Sequence, residues 1–280
     1  MSSETAMLAL DCHVHLYQFT DLARLLRAVA ANGLKACGHI GKAALNGGGK
    51  SILPTLVLTE PNSRDSYARL LRVGTEGKSI DGWRLRPGGD CPGGDCLSVF
   101  AEHDDGTLIL IISGQQVVTA ERLEVLAIAC RPDIQDGQSL ADTLKEIHGR
   151  GAFPVFPWGV GKWLGRRGRL LAAMIAQASL SDFALADTIS RPAFWPEPRL
   201  AAANAKGLPV LRGTDPLPVA GQVEKAGAFG SLITMAFDSE QPAASLLTAL
   251  RGGSVGISPF GRPDSCRAFF RTQLALRTRR

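Results

Sequence analysis

Ala6-Met-Leu-Ala-Leu-Asp-Cys-His-Val-His15 is the stretch on which the reading of this chain turns. The apolar run Ala6–Leu10 reads as a buried strand, and it ends in Asp11-Cys12-His13-Val14-His15. On an extended chain alternate side chains share a face, so both imidazoles aim to one side and Asp11 lies on that side with them. Thr20-Asp-Leu-Ala-Arg-Leu-Leu-Arg-Ala-Val-Ala-Ala-Asn-Gly33 then reads as a helix with Thr20 as its cap and Gly33 as its stop. Strand, polar turn and helix follow in that order.

The unit repeats outward from there. Ile52–Thr59 is a second apolar strand, followed by Glu60-Pro61-Asn62 and a helix predicted from Ser63 to Val73, with Gly74 ending it. Trp83–Arg86, Leu97–His103 and Thr107–Ser113 read as antiparallel strands, the last two joined by Asp104-Asp105-Gly106, a hairpin signal, and together they look like an insertion. Further strands are predicted at Leu123–Cys130, Ala152–Phe156, Phe183–Asp187, Leu208–Leu211 and Ser231–Phe237. Helices are predicted at Ser139–His148, Leu164–Ala178, Arg199–Ala205, Gly221–Ala226 and Pro242–Leu250. This alternation predicts an α/β fold with a largely parallel sheet. No Gly-x-Gly-x-x-Gly turn follows the first strand, which counts against a dinucleotide-binding fold and in favour of a closed or nearly closed barrel.

At 280 residues and 45% hydrophobic content the chain is long enough to bury a core without metal or disulfide staples, so a metal here would serve function. No run reaches the ~20 apolar residues of a membrane span, and Met1–Leu10 lacks the basic start and apolar length of a signal peptide. A cytoplasmic protein with no membrane contact is expected. The scattered cysteines, Cys12, Cys37, Cys91, Cys96, Cys130 and Cys266, read as reduced thiols, including the loop pair Cys91 and Cys96. The net charge of +5 resides in residues 262–280, where Arg262, Arg267, Arg271, Arg277, Arg279 and Arg280 face one acid, Asp264. That basic C-terminal helix and tail admits nucleic acid or an acidic partner, and is equally a solvated face.

Two convergent imidazoles form a natural clamp for a divalent metal, against the simpler reading of polar lining at a barrel mouth. His39, His103 and His148 carry no comparable spacing. Strand-end carboxylates Glu60, Asp187 and Asp215 would point toward the same mouth, with helix capping as the rival role for each. Lys162, Arg166, Arg167 and Arg212 are available to an anionic substrate.

Taken in this order, the features resemble the polymerase-and-histidinol-phosphatase (PHP) superfamily over residues 7 to 262. The first motif of that family, Asp-x-His-x-His, matches Asp11, His13 and His15. Thr59-Glu60-Pro61 resembles its Thr-Asp-His without the histidine, and Asp21 stands near a family loop histidine. The Pro-Gly-x-Glu motif is similar to Ser113-Gly114-Gln115-Gln116, with the amide Gln116 in place of the carboxylate and Glu124 in place of the histidine that follows. Phe156-Pro157 stands where the family has His-Pro, and Gly213-Thr214-Asp215-Pro216-Leu217 resembles Gly-Ser-Asp-x-His, keeping the aspartate alone. Amidohydrolases also open with His-x-His, but their lysine and two further strand-end histidines have no counterparts here.

The resemblance implies a distorted (β/α)7 TIM-like barrel with an inserted antiparallel hairpin. Residues 1–262 would form the barrel, with the insertion at about 80–113, and residues 263–280 the basic helix and tail. It implies a metal-dependent hydrolase, a phosphoesterase with a degenerate active site holding at most one zinc, manganese or iron. The metal ligands would be His13, His15, Asp215 and Gln116, with Glu124 or Glu60 as the base for a water attacking a small phosphorylated substrate. The alternative is a catalytically inactive barrel acting as a binding or assembly subunit, associated with RNA through its Arg-rich end. Oligomeric state is left open.

Overall fold

The structure, a computed structural model, describes residues 4–37, 52–89, 96–254 and 256–278; His39 and Cys91 lie outside these. Strand β1 (Glu4–Val14) is buried along most of its length because it has neighbours on both edges. Parallel β2 (Ile52–Pro61) pairs on one side and antiparallel β11 (Phe229–Phe237) on the other. Double-sided burial explains why β1 and β2 read as continuous apolar runs. Two residues of β1, Cys12 and His13, stand against one of β2, Val57, between the pairs Asp11–Leu56 and Val14–Leu58, a bulge that bends the strand just where the histidines begin.

Beyond β2 come β6 (Leu108–Val118), β7 (Glu124–Ile128), β8 (Phe153–Pro157), β9 (Ala184–Thr188) and β10 (Val210–Gly213) in spatial order; β12 (Ile257–Gly261) lies outside β11. The far strand β10 returns to β1, where Asp215 N donates to His13 O at 2.8 Å. The sheet is a nearly closed, distorted α/β barrel. It is less parallel than the alternation predicts, since β7 runs antiparallel to both β6 and β8, and β11 antiparallel to β1. The turn at 119–123 is too short for the crossover of about a dozen residues that a parallel neighbour needs.

The hairpin strands β3 (Ser79–Ile80), β4 (Trp83–Pro87) and β5 (Ser98–His103) lie antiparallel to one another, and β5 pairs with β6. The end expected for the insertion, about residue 113, therefore falls within a barrel strand, β6. Inside the barrel, Leu8, Leu10 and Cys12 of β1 meet Val57, Ile112, Leu126, Val155, Ala186 and Leu211, all buried. Helix α6 (Pro242–Arg251) adds Leu246 and Leu250 to that core, and it follows the end of β11 that pairs with the start of β1. The opposite end, where β1 finishes, is left for His13 and His15.

Helix α1 (Leu22–Cys37) starts after a 3-10 turn, Phe19–Asp21, with Gln18 rather than Thr20 at the cap position, and it runs through Gly33. Asn32 Nδ2 donates to Glu224 O (2.8 Å) and Ala226 O (2.9 Å). Docking of this kind outweighs the ~1 kcal/mol that glycine costs inside a helix. Helix α2 (Ser66–Thr75) begins later than predicted because Asp65 caps it, accepting from Ala68 N. Helices α3 (Leu140–Gly149), α4 (Gly165–Gln177) and α5 (Pro198–Ala205) match their predicted positions within a few residues; Gly221–Ala226 is only a 3-10 turn, Val223–Lys225.

Helix α7 (Cys266–Thr278) packs on the barrel through buried Phe269 and Thr272, the latter accepting from Gln222 Nε2 at 3.1 Å. Cys96 is disulfide-bonded, which corrects its reading as a free thiol. A disulfide depends on the distance between two backbone positions, which loop composition does not show. Cys12, Cys130 and Cys266 are free. No described helix is long and apolar enough to cross a membrane.

Candidate metal centre

The bulge in β1 and the tight approach of β10 together bring three side chains to one point. His13 Nε2 lies 3.0 Å from His15 Nε2, and Asp215 Oδ1 lies 3.6 Å from the first and 3.4 Å from the second. Among the described residues this is the cluster of histidines, cysteines and carboxylates able to hold a metal. Gln116 Oε1 stands 3.1 Å from His13 Nε2, so the amide expected as a fourth ligand reaches the cluster.

Two backbone features hold this arrangement. A Cβ on Gly213 would sit 2.6 Å from His13 Cβ, so β10 can approach β1 only because that residue is glycine. Asp215 has φ of 43° and precedes Pro216, although residues before proline favour extended backbone. Its N–H bond to His13 O fixes this unusual turn and carries the carboxylate over the imidazoles.

Asp11 does not join the cluster. It is fully buried and accepts hydrogen bonds from Thr214 Oγ1 (2.5 Å), Thr214 N (2.9 Å), Gly227 N (2.9 Å) and His13 N (3.3 Å). Its role is to tie the ends of β1 and β10 together and to both of them the loop that leads into β11. Burial pushes its carboxyl up to about 6, against the pull of those bonds.

The electrostatics suit a metal. Burial pushes His13 down to about 4, outweighing the pull of Asp215, with His15 and Lys162 adding to the effect, so the ring is neutral at physiological pH. Neutral imidazole is the ligating form. Burial would raise the Asp215 carboxyl, but His13, His15 and Lys162 together hold it well below the usual carboxylate range. Donor atoms on a tetrahedral ion with bonds of about 2.0–2.1 Å lie about 3.3 Å apart. The three observed separations straddle that value, so two nitrogens and one oxygen fit a single divalent ion with a position left for water. His13 Nδ1 is buried without a hydrogen-bond partner, so on that side of the ring packing alone holds it.

The remaining candidate residues fall in different places. Glu124 lies at the edge of the site, ion-paired through Oε1 with Lys162 Nζ. Glu60 faces away from the cluster and caps α2, its Oε2 accepting from Tyr67 N at 3.0 Å; burial raises its carboxyl despite that bond and those from Ser66. Asp187 is held by Arg191 at 2.6 and 2.7 Å, and Asp21 pairs with Arg24 at 3.3 Å. Phe156 is buried with its ring 5.2 Å from that of Phe183, a packing position with no donor to offer. His103 lies at the hairpin turn beside Asp105.

Sequence reasoning misses Tyr17, although this residue continues the alternation of His13 and His15. Its ring lies 5.6 Å from that of His15, with the Arg64 guanidinium 5.3 Å from its own centroid. A cleft of about 290 Å³ opens beside His15 between Tyr17, Asp21 and Arg24 on one wall and Pro216 and Val219 on the other.

Fold and site thus define a distorted α/β barrel with a two-histidine, one-aspartate cluster at its mouth. PsfC from Pseudomonas syringae PB-5123 has this fold, with a TM-score of 0.54 and 13% identity over 100% of this chain and 98% of that one. Two further solved structures align less closely, each at 12% identity and a TM-score of 0.46. One is a two-domain protein from Bacteroides vulgatus ATCC 8482 containing a predicted PHP-like metal-dependent phosphoesterase, matched over 93% of this chain and 66% of that chain. The other is the lesion-specific endonuclease PfuEndoQ from Pyrococcus furiosus, matched over 91% of this chain and 58% of that chain. No family model matches the sequence, and no curated protein matches it.

Proposed function

We propose that this chain is a divergent PHP protein that holds one divalent metal, zinc, manganese or iron, between His13, His15 and Asp215 and hydrolyses a phosphoester of a small substrate. The observation that carries this reading is the convergence of three ligand atoms within 4.8 Å at the mouth of the barrel, two from the end of β1 and the third, from Asp215, on a turn with a positive φ. When bound, such an ion supplies an acidified water and polarises a phosphoryl oxygen. His13, His15 and Asp215 hold the ion, and Gln116 offers a neutral oxygen beside it. An amide does not bridge two cations as a carboxylate does, which favours one ion over several. The cleft beside His15 has room for the rest of a small molecule.

The test is hydrolysis of a simple phosphomonoester and a phosphodiester by zinc-, manganese- and iron-loaded protein. Turnover that a chelator removes and His13→Ala abolishes supports the reading; equal turnover by His13→Ala overturns it.

A second reading, a barrel kept for binding, has α7 on its side. Phe270 and Leu274 are 61% and 65% exposed on a helix that also carries Arg267, Arg271 and Arg277. Salt-dependent RNA binding by a protein that takes up no metal would favour it.

A further inference from the structure

We propose that Lys162 is the anion anchor of the site, an ammonium that pairs with Glu124 in the free protein and passes to a phosphate oxygen when substrate binds beside the His13–His15–Asp215 cluster. This inference rests on the hydrolase reading and names the group that recognises its anionic substrate.

Several other basic side chains around the barrel are already committed, among them Arg24, paired with Asp21 and Glu224, and Arg64, stacked on Tyr17. Arg167 donates to Gly161 O at 2.8 Å and to Arg122 O at 3.2 Å, so it fastens the loop before α4 to the turn before β7. Arg212 is half-buried with its guanidinium 4.7 Å over the Phe229 ring. Arg191 is committed to Asp187, and Arg131 to Asp65 at 2.9 Å. Lys162 differs in its partner and its reach. Its ammonium pairs with Glu124, which sits opposite Val118 on β6, two residues beyond the Gln116 whose amide oxygen stands against His13.

The backbone directs this side chain inward. Lys162 N donates to Gly159 O at 3.0 Å, closing a turn after β8, and the lysine stem lies along Gly159. A Cβ on Gly159 would come within 2.5 Å of Lys162 Cδ, so the stem takes this path only because residue 159 is glycine. The side chain is 36% exposed, which leaves its head within reach of a ligand arriving from solvent. A phosphate placed there would lie between the residues that would hold the metal and the Lys162 ammonium, so both could supply positive charge to it.

Glu124 then acquires a role other than that of base. In the free protein it neutralises Lys162, and an incoming dianion must displace it. Removing its charge should therefore tighten anion binding, and the gain should vanish when Lys162 is removed as well.

The experiment is calorimetric titration of inorganic phosphate into zinc-loaded and metal-free protein, with elemental analysis of every sample. Lys162→Ala is expected to weaken phosphate binding about tenfold or more while metal content stays at the parental level. Gly159→Ala should also weaken it, because the added methyl displaces the stem without touching the charge, and Glu124→Gln should tighten it. Lys162→Arg should retain most of the affinity. Parental affinity in Lys162→Ala, or no phosphate binding by the parent with or without zinc, overturns the proposal. A parent that takes up no zinc contradicts the hydrolase reading instead, and the metal-free titrations then still decide the role of Lys162.

Discussion

Asp215 N donates to His13 O across 2.8 Å, so the residue that completes the ligand set is fixed by the backbone of the residue that begins it. Together with the Thr214–Asp11 bonds, this bond holds β10 against β1 and sets the carboxylate over the two imidazoles. Assembly of the centre and closure of the barrel are in that sense the same event.

Substitutions at Asp215 should separate the charge from the turn. Asn tolerates a φ of 43° nearly as well as Asp, so Asp215→Asn is expected to keep thermal stability close to that of the parent while weakening metal binding at least tenfold. Asp215→Val should lose both, with a further destabilisation of about 1–3 kcal/mol from a branched side chain in the left-handed region. Thermal unfolding combined with metal titration checks the pair. Equal stability of the Asn and Val variants would contradict a strained turn.

Asp11 is expected to act on the centre only through structure. Asp11→Ala leaves the N–H groups of Thr214 and Gly227 buried without their acceptor, which should cost about 3 kcal/mol or more in urea unfolding. Metal affinity should fall with it, because the turn bearing Asp215 loses its tie to β1. An Asp11→Ala protein of parental stability that has lost its metal would instead make Asp11 a ligand.

Glu60 gives a pH-dependent test. Burial raises its carboxyl in the folded protein, so the native state holds that proton more tightly than the unfolded chain does. The contribution of Glu60 to stability is thus full below the ordinary carboxylate range and declines as pH rises through the raised value. Glu60→Gln keeps an oxygen to accept from Tyr67 N and carries no charge, so it should gain on the parent in denaturant midpoint as pH rises from about 4.5 to about 8. Its metal content should match the parent throughout. Loss of turnover with unchanged stability would return Glu60 to the role of base.

The His-x-His pair is legible in the sequence because its geometry is local: side chains two apart on a strand share a face whatever the rest of the chain does. Asp215 comes within reach by its place at a strand end and by the family motif, while the turn that points it at His13 depends on a hydrogen bond to a strand at the other end of the chain. The Lys162–Glu124 pair lies beyond sequence reasoning for the same cause, since it spans the edge between a turn after β8 and the start of β7. Strand periodicity locates the barrel strands but not their directions. The reversal of β7 follows from the short turn at 119–123, and the antiparallel seating of β11 beside β1 is a tertiary choice that no local pattern encodes. Glu60 reads as a candidate base because a strand-end carboxylate and a helix-capping carboxylate look alike until the helix start is known, and α2 begins at Ser66 rather than Ser63.

The central claim, one metal held by His13, His15 and Asp215, is tested most directly by elemental analysis of untagged protein purified without added metal, alongside His13→Ala. The expected result is about one equivalent of zinc, manganese or iron in the parent and none in the variant. Absence of metal from both, persisting after reconstitution with each ion, would contradict it.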